Sequence, residues 1–595
     1  MLKKFFTVFL GSVAAIWFSI LVFIGIIIVA VVSWLNVGSS NLKSNSVLHL
    51  CLNGQIEERF TNPSFQGLVM GNDYMNLTFD EISRAVKCAK TDSDIRGIFL
   101  DLRGSSMGLA MREELRQLLA EFKESEKFIV AYADNYDQGD FYTASIADEL
   151  YINPSGTLSA NGLSAVVPFF KNALDKLGVG IQVIKVGTFK SAVEPFILTQ
   201  MSDSARMQYD VMLNTMWDSY TTGVVSDLGL AEDSVSVFKS MAATPMTAFT
   251  AKQLVAVKFF DDTKYAYQVH EILKKKAGSG DELNLVDPKE YLATMPSDSF
   301  LNSAASSDHI AVLYAVGDIV DSGDEGIVGE TMAPLIVSLA DNDKVKGLVL
   351  RINSGGGSAF ASEQIWASLE YFKSKKKPFV VSMSDVAASG GYYIACGADK
   401  IYADPSTITG SIGIFGVIPY AQKLLNDKIG INFSVVETNP NAVFPRIDAP
   451  LTPDQHAALE KNIKDGYDLF VHRVATGRNM ADSAVRKIAE GRVWAGSTAK
   501  EIGLVDELGS LEDAIAYVSL KTDIRSECVS YPVIAMTPLQ QILLMNEQEL
   551  KVSWQNEASK ALGISADDLR EGARILSRVR SMNTIQARME DIRVY

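Results

Sequence analysis

The sequence runs to 595 residues, 47% hydrophobic and 21% charged, a balance that argues against long disorder and predicts two to four globular domains. A formal net charge of −16, from 55 basic and 71 acidic residues, argues against a nucleic-acid partner, which needs an excess of basic side chains. Four cysteines without CxxC spacing and five scattered histidines without HExxH predict neither a disulfide framework nor a metal site, and no cofactor is expected.

Taken in order, the chain begins with an uncharged run from Phe5 to Leu35, preceded by Lys3 and Lys4. A bilayer needs about 20 apolar residues, so residues 1–40 are expected to be a cytoplasmic tip and an uncleaved transmembrane anchor. After a polar spacer, VLHLCLNGQI and RGIFLDLRG read as strands, MREELRQLLAEFKES as a helix and KFIVAYAD as a strand. FYTASIADELYI reads as a helix running into another strand. This alternation is the α/β pattern.

A repeat organises the rest. Val130 to Gly162 aligns without a gap on Val381 to Gly413 at an offset of 251, with matches that include Asp134/Asp385, Gly139/Gly390, Tyr142/Tyr393 and Pro154/Pro405. The first copy is expected over 45–275 and the second over 308–535. A Gly-, Ser- and Asp-rich linker is expected over 276–307, and a charged tail of helical pattern over 536–595. That tail suits an assembly element, a surface-lying helix or simple padding of the domain.

The copies differ where chemistry would sit. In the second, Ser389 lies in the small-residue run AASGG before the apolar YYIAC, which reads either as a nucleophile presented at a helix start or as a capping serine in a glycine turn. Its counterpart in the first copy is Gln138. Conversely, the first copy holds VGTFKSAVEPF, with Lys190 among apolar neighbours, where the second has Asn441. A serine hydroxyl needs a base, and a lysine amine, with an ordinary pKa of about 10.4, serves only where burial opposes its charge. On its neighbours alone Lys190 reads more readily as a surface lysine flanking a strand, and Glu194 close by would, if paired with it, favour the ammonium form. The turn NSGGGS at 353–358, directly after the strand GLVLRI, leaves backbone N–H groups to face a ligand oxygen.

These residues together, with TGSIGIFG at 409–416, the tandem repeat and the apolar N-terminal run, resemble the signal peptide peptidase A family of bacteria, in its long form also called protease IV. The resemblance spans the chain from the anchor to about residue 535. It implies an α/β fold of two Clp-protease/crotonase-like domains behind an N-terminal transmembrane helix. It also implies a serine–lysine dyad with Ser389 as nucleophile, Lys190 as general base, Ser411 as the lysine's hydrogen-bond partner, and the N–H groups of Gly356 and Gly390 as oxyanion donors. The family turn reads Ser-Pro-Gly-Gly where this chain has Ser354, Gly355, Gly356 and Gly357. The implied function is a single-pass endopeptidase of the bacterial inner membrane, its catalytic domains extracytoplasmic, assembled as a homo-oligomer, a tetramer by resemblance. Its implied substrates are cleaved signal peptides and other apolar unfolded peptides. Two rivals remain: a crotonase-like acyl-thioester enzyme using the same glycines, and a non-catalytic membrane scaffold.

Overall fold

The structure is a computed structural model that describes residues 42–59, 77–280, 282–295, 307–524, 527–532, 586–589 and 593–594. In the first copy the chain forms β1 (Ser46–Gln55), β2 (Ile95–Ser106), helix α1 (Leu109–Lys123), β3 (Phe128–Ala133), α2 (Gln138–Ala144), β4 (Glu149–Ile152), β5 (Gly180–Lys185), α3 (Asp203–Asp227), β6 (Asp262–Thr263) and β7 (Leu285–Val286). In the second it forms β8 (His309–Val316), β9 (Ile319–Val320), β10 (Ile327–Val328), β11 (Val345–Ser354), β12 (Gly356–Ser358), β13 (Phe379–Ala388), α4 (Gly390–Ala395), β14 (Lys400–Ala403), β15 (Ile408–Gly410), β16 (Phe415–Tyr420), α5 (Pro453–Gly477), β17 (Val493–Ala495), β18 (Glu507–Leu508) and β19 (Cys528–Tyr531). A further strand near the end of the chain, β20, spans Gln586–Arg588.

The repeat is visible in the sheets. The first copy orders its parallel strands β7-β1-β2-β3-β4-β6, and the second orders its own β19-β8-β11-β13-β14-β18, strand for strand. Such strands are covered on both faces, which is why segments such as GIFLDL and GLVLRI are near-continuous apolar runs. Each sheet has its own core, one around Leu50, Leu100 and Ile129, the other around Leu313, Leu350 and Val381. The stretch 276–307, expected as a linker, instead supplies β7, which pairs with Val47 and Leu48, and the buried Tyr291, whose hydroxyl donates to Asp92.

A third, mixed sheet crosses between the copies in the order β10-β9-β12-β20-β16-β5. Its β5 comes from the first copy and pairs antiparallel with β16 of the second, from Lys185 opposite Phe415 to Gly180 opposite Tyr420. Ile184 of β5 is accordingly packed in the second copy's core.

A buried charge network closes the same interface. Arg351 on β11 is fully buried and bonds Glu58 and Glu114 of the first copy, with Ser382 Oγ as a third partner at 2.8 Å. Glu58 also accepts from Ser384 Oγ at 2.9 Å. Asp385 accepts from Met111 N at 3.0 Å and so caps α1, whose own N-cap residue, Gly108, has no side chain to offer. A Cβ at Gly108 would lie 2.0 Å from the Asp385 carboxyl carbon. Burial raises the pKa of Glu58, Asp385 and Asp404, and pushes the Glu113 carboxyl from 4.5 to about 7 against the bonds from Ser406 that favour its charge.

The expected transmembrane anchor is corrected. Among the described residues no helix is long and apolar enough to cross a membrane. Helices α3 and α5, each 25 residues, have the length, but they carry charges such as Asp203, Arg206, Asp210 and Asp218, or Glu460, Lys461, Lys464 and Asp465. The apolar run on which the anchor rested lies in residues 1–41, outside the described residues. Over the described residues the fold therefore stands as two α/β repeats, with no membrane helix among them. The membrane-anchored function, the inner-membrane partner and the single-pass localisation are withdrawn with it. The expected helical tail over 536–595 lies mostly outside the described residues, and the parts described, Gln586–Arg588 and Arg593–Val594, are strands.

Two measurements test the interface. Arg351→Met leaves two buried carboxylates without their cation and is expected to cost roughly 3–5 kcal/mol in chemical denaturation, with Glu58→Gln restoring part of the loss; an unchanged midpoint contradicts the network. Glu113 holds its proton more tightly folded than unfolded, so its contribution to stability is full below pH 4.5 and is lost as pH rises through about 7. Melting curves of Glu113→Gln are therefore expected to fall less steeply than wild type between these pH values.

Candidate active site

Strand β13 is bent before it delivers its last residue. Its register with β11 shifts between the pairs Ile352/Met383 and Ser354/Ala387, so Ser384, Asp385 and Val386 bulge out of the ladder. Ser389 follows at φ 56° and ψ −113°, a conformation that costs a non-glycine residue about 1–3 kcal/mol. Neighbouring bonds hold it there: Ser389 N donates to Gly410 O, and Tyr393 N to Ser389 O, each at 2.8 Å. Gly391 is a packing requirement, since a Cβ there would lie 2.7 Å from Ser354 O. Ser389 stands at the N-cap of α4, but its side chain makes no capping bond. Nor is the hydroxyl exposed, as the sequence suggested; Ser389 is fully buried.

The hydroxyl faces Lys190, also fully buried, with Nζ 2.8 Å from Ser389 Oγ. The same Nζ lies 3.0 Å from Ser411 Oγ and 3.1 Å from Ser411 O. Lys190 reaches this position because β5 runs along β16 and the chain then turns at Gly187, where Phe189 N donates to Glu490 O at 2.9 Å. Gly187, at φ 113°, passes so close that a Cβ would sit 2.4 Å from Glu490 O. Ser411 is held at φ 49° by its N–H on Arg492 O at 2.7 Å, and its Oγ lies 3.4 Å from Gly491 O. Glu194 directs its oxygens to Ser202, at 3.0 Å to N and 2.7 Å to Oγ, at the start of α3.

Two residues that sequence reading missed shape the lysine's channel. A Cβ on Gly491, at φ 77°, would lie 2.7 Å from Lys190 Cα and Cβ, and one on Gly413 would lie 3.3 Å from Cδ. Gly413 closes the TGSIG run already singled out, whereas Gly491 lies in AEGRVW, which carries no local signal.

The glycine turn abuts the start of α4 through the Gly391–Ser354 contact. Gly356 takes φ 97°, and its N–H donates to Ser354 Oγ at 3.1 Å. Gly390 opens α4, where a helix leaves its first N–H groups without intrahelical acceptors. At Gly355, where the family carries proline, an added Cβ would meet nothing within 4 Å.

The corresponding place in the first copy is filled. Asp140, aligned with Gly391, is fully buried and accepts from Gly104 N at 2.9 Å and from Ser105 Oγ. Arg112 neutralises it at 3.4 Å. Gln138, aligned with Ser389, accepts from Gly162 N at 3.0 Å. For a metal, the described residues gather one group, His49, Cys51 and Asp101, with ligand atoms within 4.8 Å of one another. Its carboxylate is already held by Arg103, at 3.1 Å from Nε and 2.6 Å from Nη2.

A family profile described as Peptidase family S49 matches residues 121–279 and 371–525, and one described as Clp protease matches 310–407. The chain is 37% identical over 455 residues to "Protease 4" of Haemophilus influenzae, covering 74% of this chain and 72% of that protein. It is 35% identical over 515 residues to "Protease 4" of Salmonella typhi, covering 83% and 82%. A solved structure, a ClpP1 point mutant from Listeria monocytogenes, matches 34% of this chain and 94% of that one at 16% identity and a TM-score of 0.23, which carries no argument, so the expected tetramer gains nothing from it. With both repeats matched and relatives aligned over most of their length, the chain belongs to peptidase family S49 and, at that level, to the serine proteases.

Proposed function

We propose that the chain is a serine endopeptidase in which Ser389 is the nucleophile and Lys190 the general base, acting on extended apolar segments of unfolded polypeptides. In this reading the repeat over 45–275 supplies the base and the repeat over 308–535 the nucleophile. The observation that carries it is the 2.8 Å contact between two fully buried groups, Lys190 Nζ and Ser389 Oγ.

The chemistry follows from how a neutral amine uses its valences. It has two hydrogens and one lone pair. Ser411 offers two acceptors, its Oγ at 3.0 Å and its carbonyl at 3.1 Å. With both hydrogens placed there, the lone pair is left to accept the Ser389 proton as Oγ attacks a peptide carbonyl. Burial opposes the ammonium form, which favours the neutral amine at rest. The tetrahedral oxyanion is received by the Gly390 N–H and by the Gly356 N–H once that group turns from Ser354 Oγ. Lys190 then returns the proton to the leaving amine, and in the second half it removes a proton from the water that releases the acyl group. Main-chain pairing on the edge of β12 supplies sequence-independent grip on an extended peptide.

Hydrolysis of an apolar fluorogenic peptide is expected to be abolished in Ser389→Ala and reduced roughly 10²–10⁴-fold in Lys190→Met, with circular dichroism unchanged. The wild-type rate is expected to rise with pH through a midpoint below the ordinary lysine value of about 10.4. Full activity in either variant overturns the dyad. A serine-directed fluorophosphonate is expected to label wild type but not Ser389→Ala. Adding Gln138→Ser to that variant restores no label, because Asp140 and Arg112 fill the equivalent pocket.

A further inference from the structure

The third sheet contains a strand that belongs to neither repeat. Residues Gln586–Arg588 lie between β12 and β16, antiparallel to both, with Gly356 opposite Arg588, Gly357 opposite Ala587, Ser358 opposite Gln586, and Phe415 also opposite Gln586. Without that strand β12 and β16 would flank a slot one strand wide, about 10 Å between their axes at ordinary strand spacing. One wall of this slot is the proposed oxyanion turn. The other begins two residues after Gly413, which packs on Lys190.

The fit is made with side chains as well as backbone. Met589 N donates to Gly355 O at 2.7 Å, and the Met589 side chain is buried in a cluster with Ala388, Ile408, Val493, Met212 and Met216. Ala388 is the residue before Ser389, so an apolar pocket opens beside the nucleophile and Met589 fills it. Arg588 is buried as well and pairs with Asp318, Nη2 to Oδ2 at 2.6 Å. Gln586 is buried too.

Resting on the peptidase reading above, we propose that residues 586–589 occupy this site's own peptide-binding groove as a resident competitor, held by the Arg588–Asp318 pair, and that the groove reads a basic residue followed by an apolar one. The strand and a substrate cannot both be bound, since both need the Gly355 carbonyl and the main chain of Gly356 and Gly357. Substrate therefore binds only the fraction of molecules in which the strand has left. A ligand's apparent dissociation constant rises by the inverse of that fraction.

The test uses full-length protein and a fluorogenic apolar peptide without basic residues. Arg588→Glu sets like charges against each other at Asp318 and is expected to lower KM roughly tenfold or more, with kcat unchanged. Asp318→Arg is also expected to lower KM, and the double variant Arg588→Glu with Asp318→Arg, which restores an opposite-charge pair, to bring it back toward wild type. A second readout does not depend on hydrolysis. In the Ser389→Ala background, a fluorescein-labelled Gln-Ala-Arg-Met peptide followed by anisotropy is expected to bind protein carrying Arg588→Glu more tightly than protein with the native strand. Equal KM in wild type and Arg588→Glu, equal peptide binding, or a double variant that fails to recover overturns the proposal while leaving the dyad intact. Absence of hydrolysis in every variant, with the binding difference present, overturns the peptidase reading while the groove assignment stands.

Discussion

Everything at this site depends on bringing one amine out of water to one hydroxyl, when the two belong to different repeats. Lys190 and Ser389 are 199 positions apart and both fully buried. A lysine stem loses rotamer freedom on burial and its head group loses hydration, so the position persists only if the surroundings over-determine it. Three devices do so: the six-pair ladder between β5 and β16, the glycine channel at Gly491 and Gly413, and the three oxygens around Nζ. The ladder sets direction, the glycines set depth, and Ser411 sets the orientation of the head group.

The two copies share a sheet order but have diverged at the turn. In the second, Gly391 lets Ser354 approach the start of α4 and leaves room at the glycine turn. In the first, Asp140 stands at the aligned position and takes the N–H groups of the equivalent turn, with Arg112 balancing its charge. A buried carboxylate there does structurally what a reacting oxyanion would do transiently. That copy holds a fixed polar network at this place, while its Lys190 reaches Ser389 of the other copy.

Much of this was legible in the sequence, for reasons of pattern. Continuous apolar strands, turns and helices at an offset of 251 expose a repeat, and comparing copies isolates Ser389 against Gln138 and Lys190 against Asn441. What sequence could not supply is long-range contact. Gly491 looks like any loop glycine until Lys190 lies against it, and Glu194 looks like a partner for Lys190 until its oxygens are seen to meet Ser202 and Lys185. Strand β20 misled for a related reason: the residues around QARMED have helical periodicity, but the unpaired edges of β12 and β16 make an extended conformation the better use of that backbone. The apolar run at the start of the chain is read from its length, its hydropathy and the lysines before it, and no described helix is long and apolar enough to cross a membrane.

The buried acids and Ser389 are linked by one strand. Along β13, Ser382 bonds Arg351, Ser384 bonds Glu58 and Asp385 caps α1, all ties to the first copy or to the cation that serves it, and Ser389 follows Ala388 at the strand's end. The bulge lies within these same residues. The strain that sets Ser389 at positive φ is thus anchored by contacts across the interface rather than by its own repeat alone. Displacing the first copy would therefore move Lys190 directly, through β5, and Ser389 indirectly, through β13. A site assembled in this way is complete only when the two repeats are docked: an isolated second repeat holds Ser389 without Lys190 beside it.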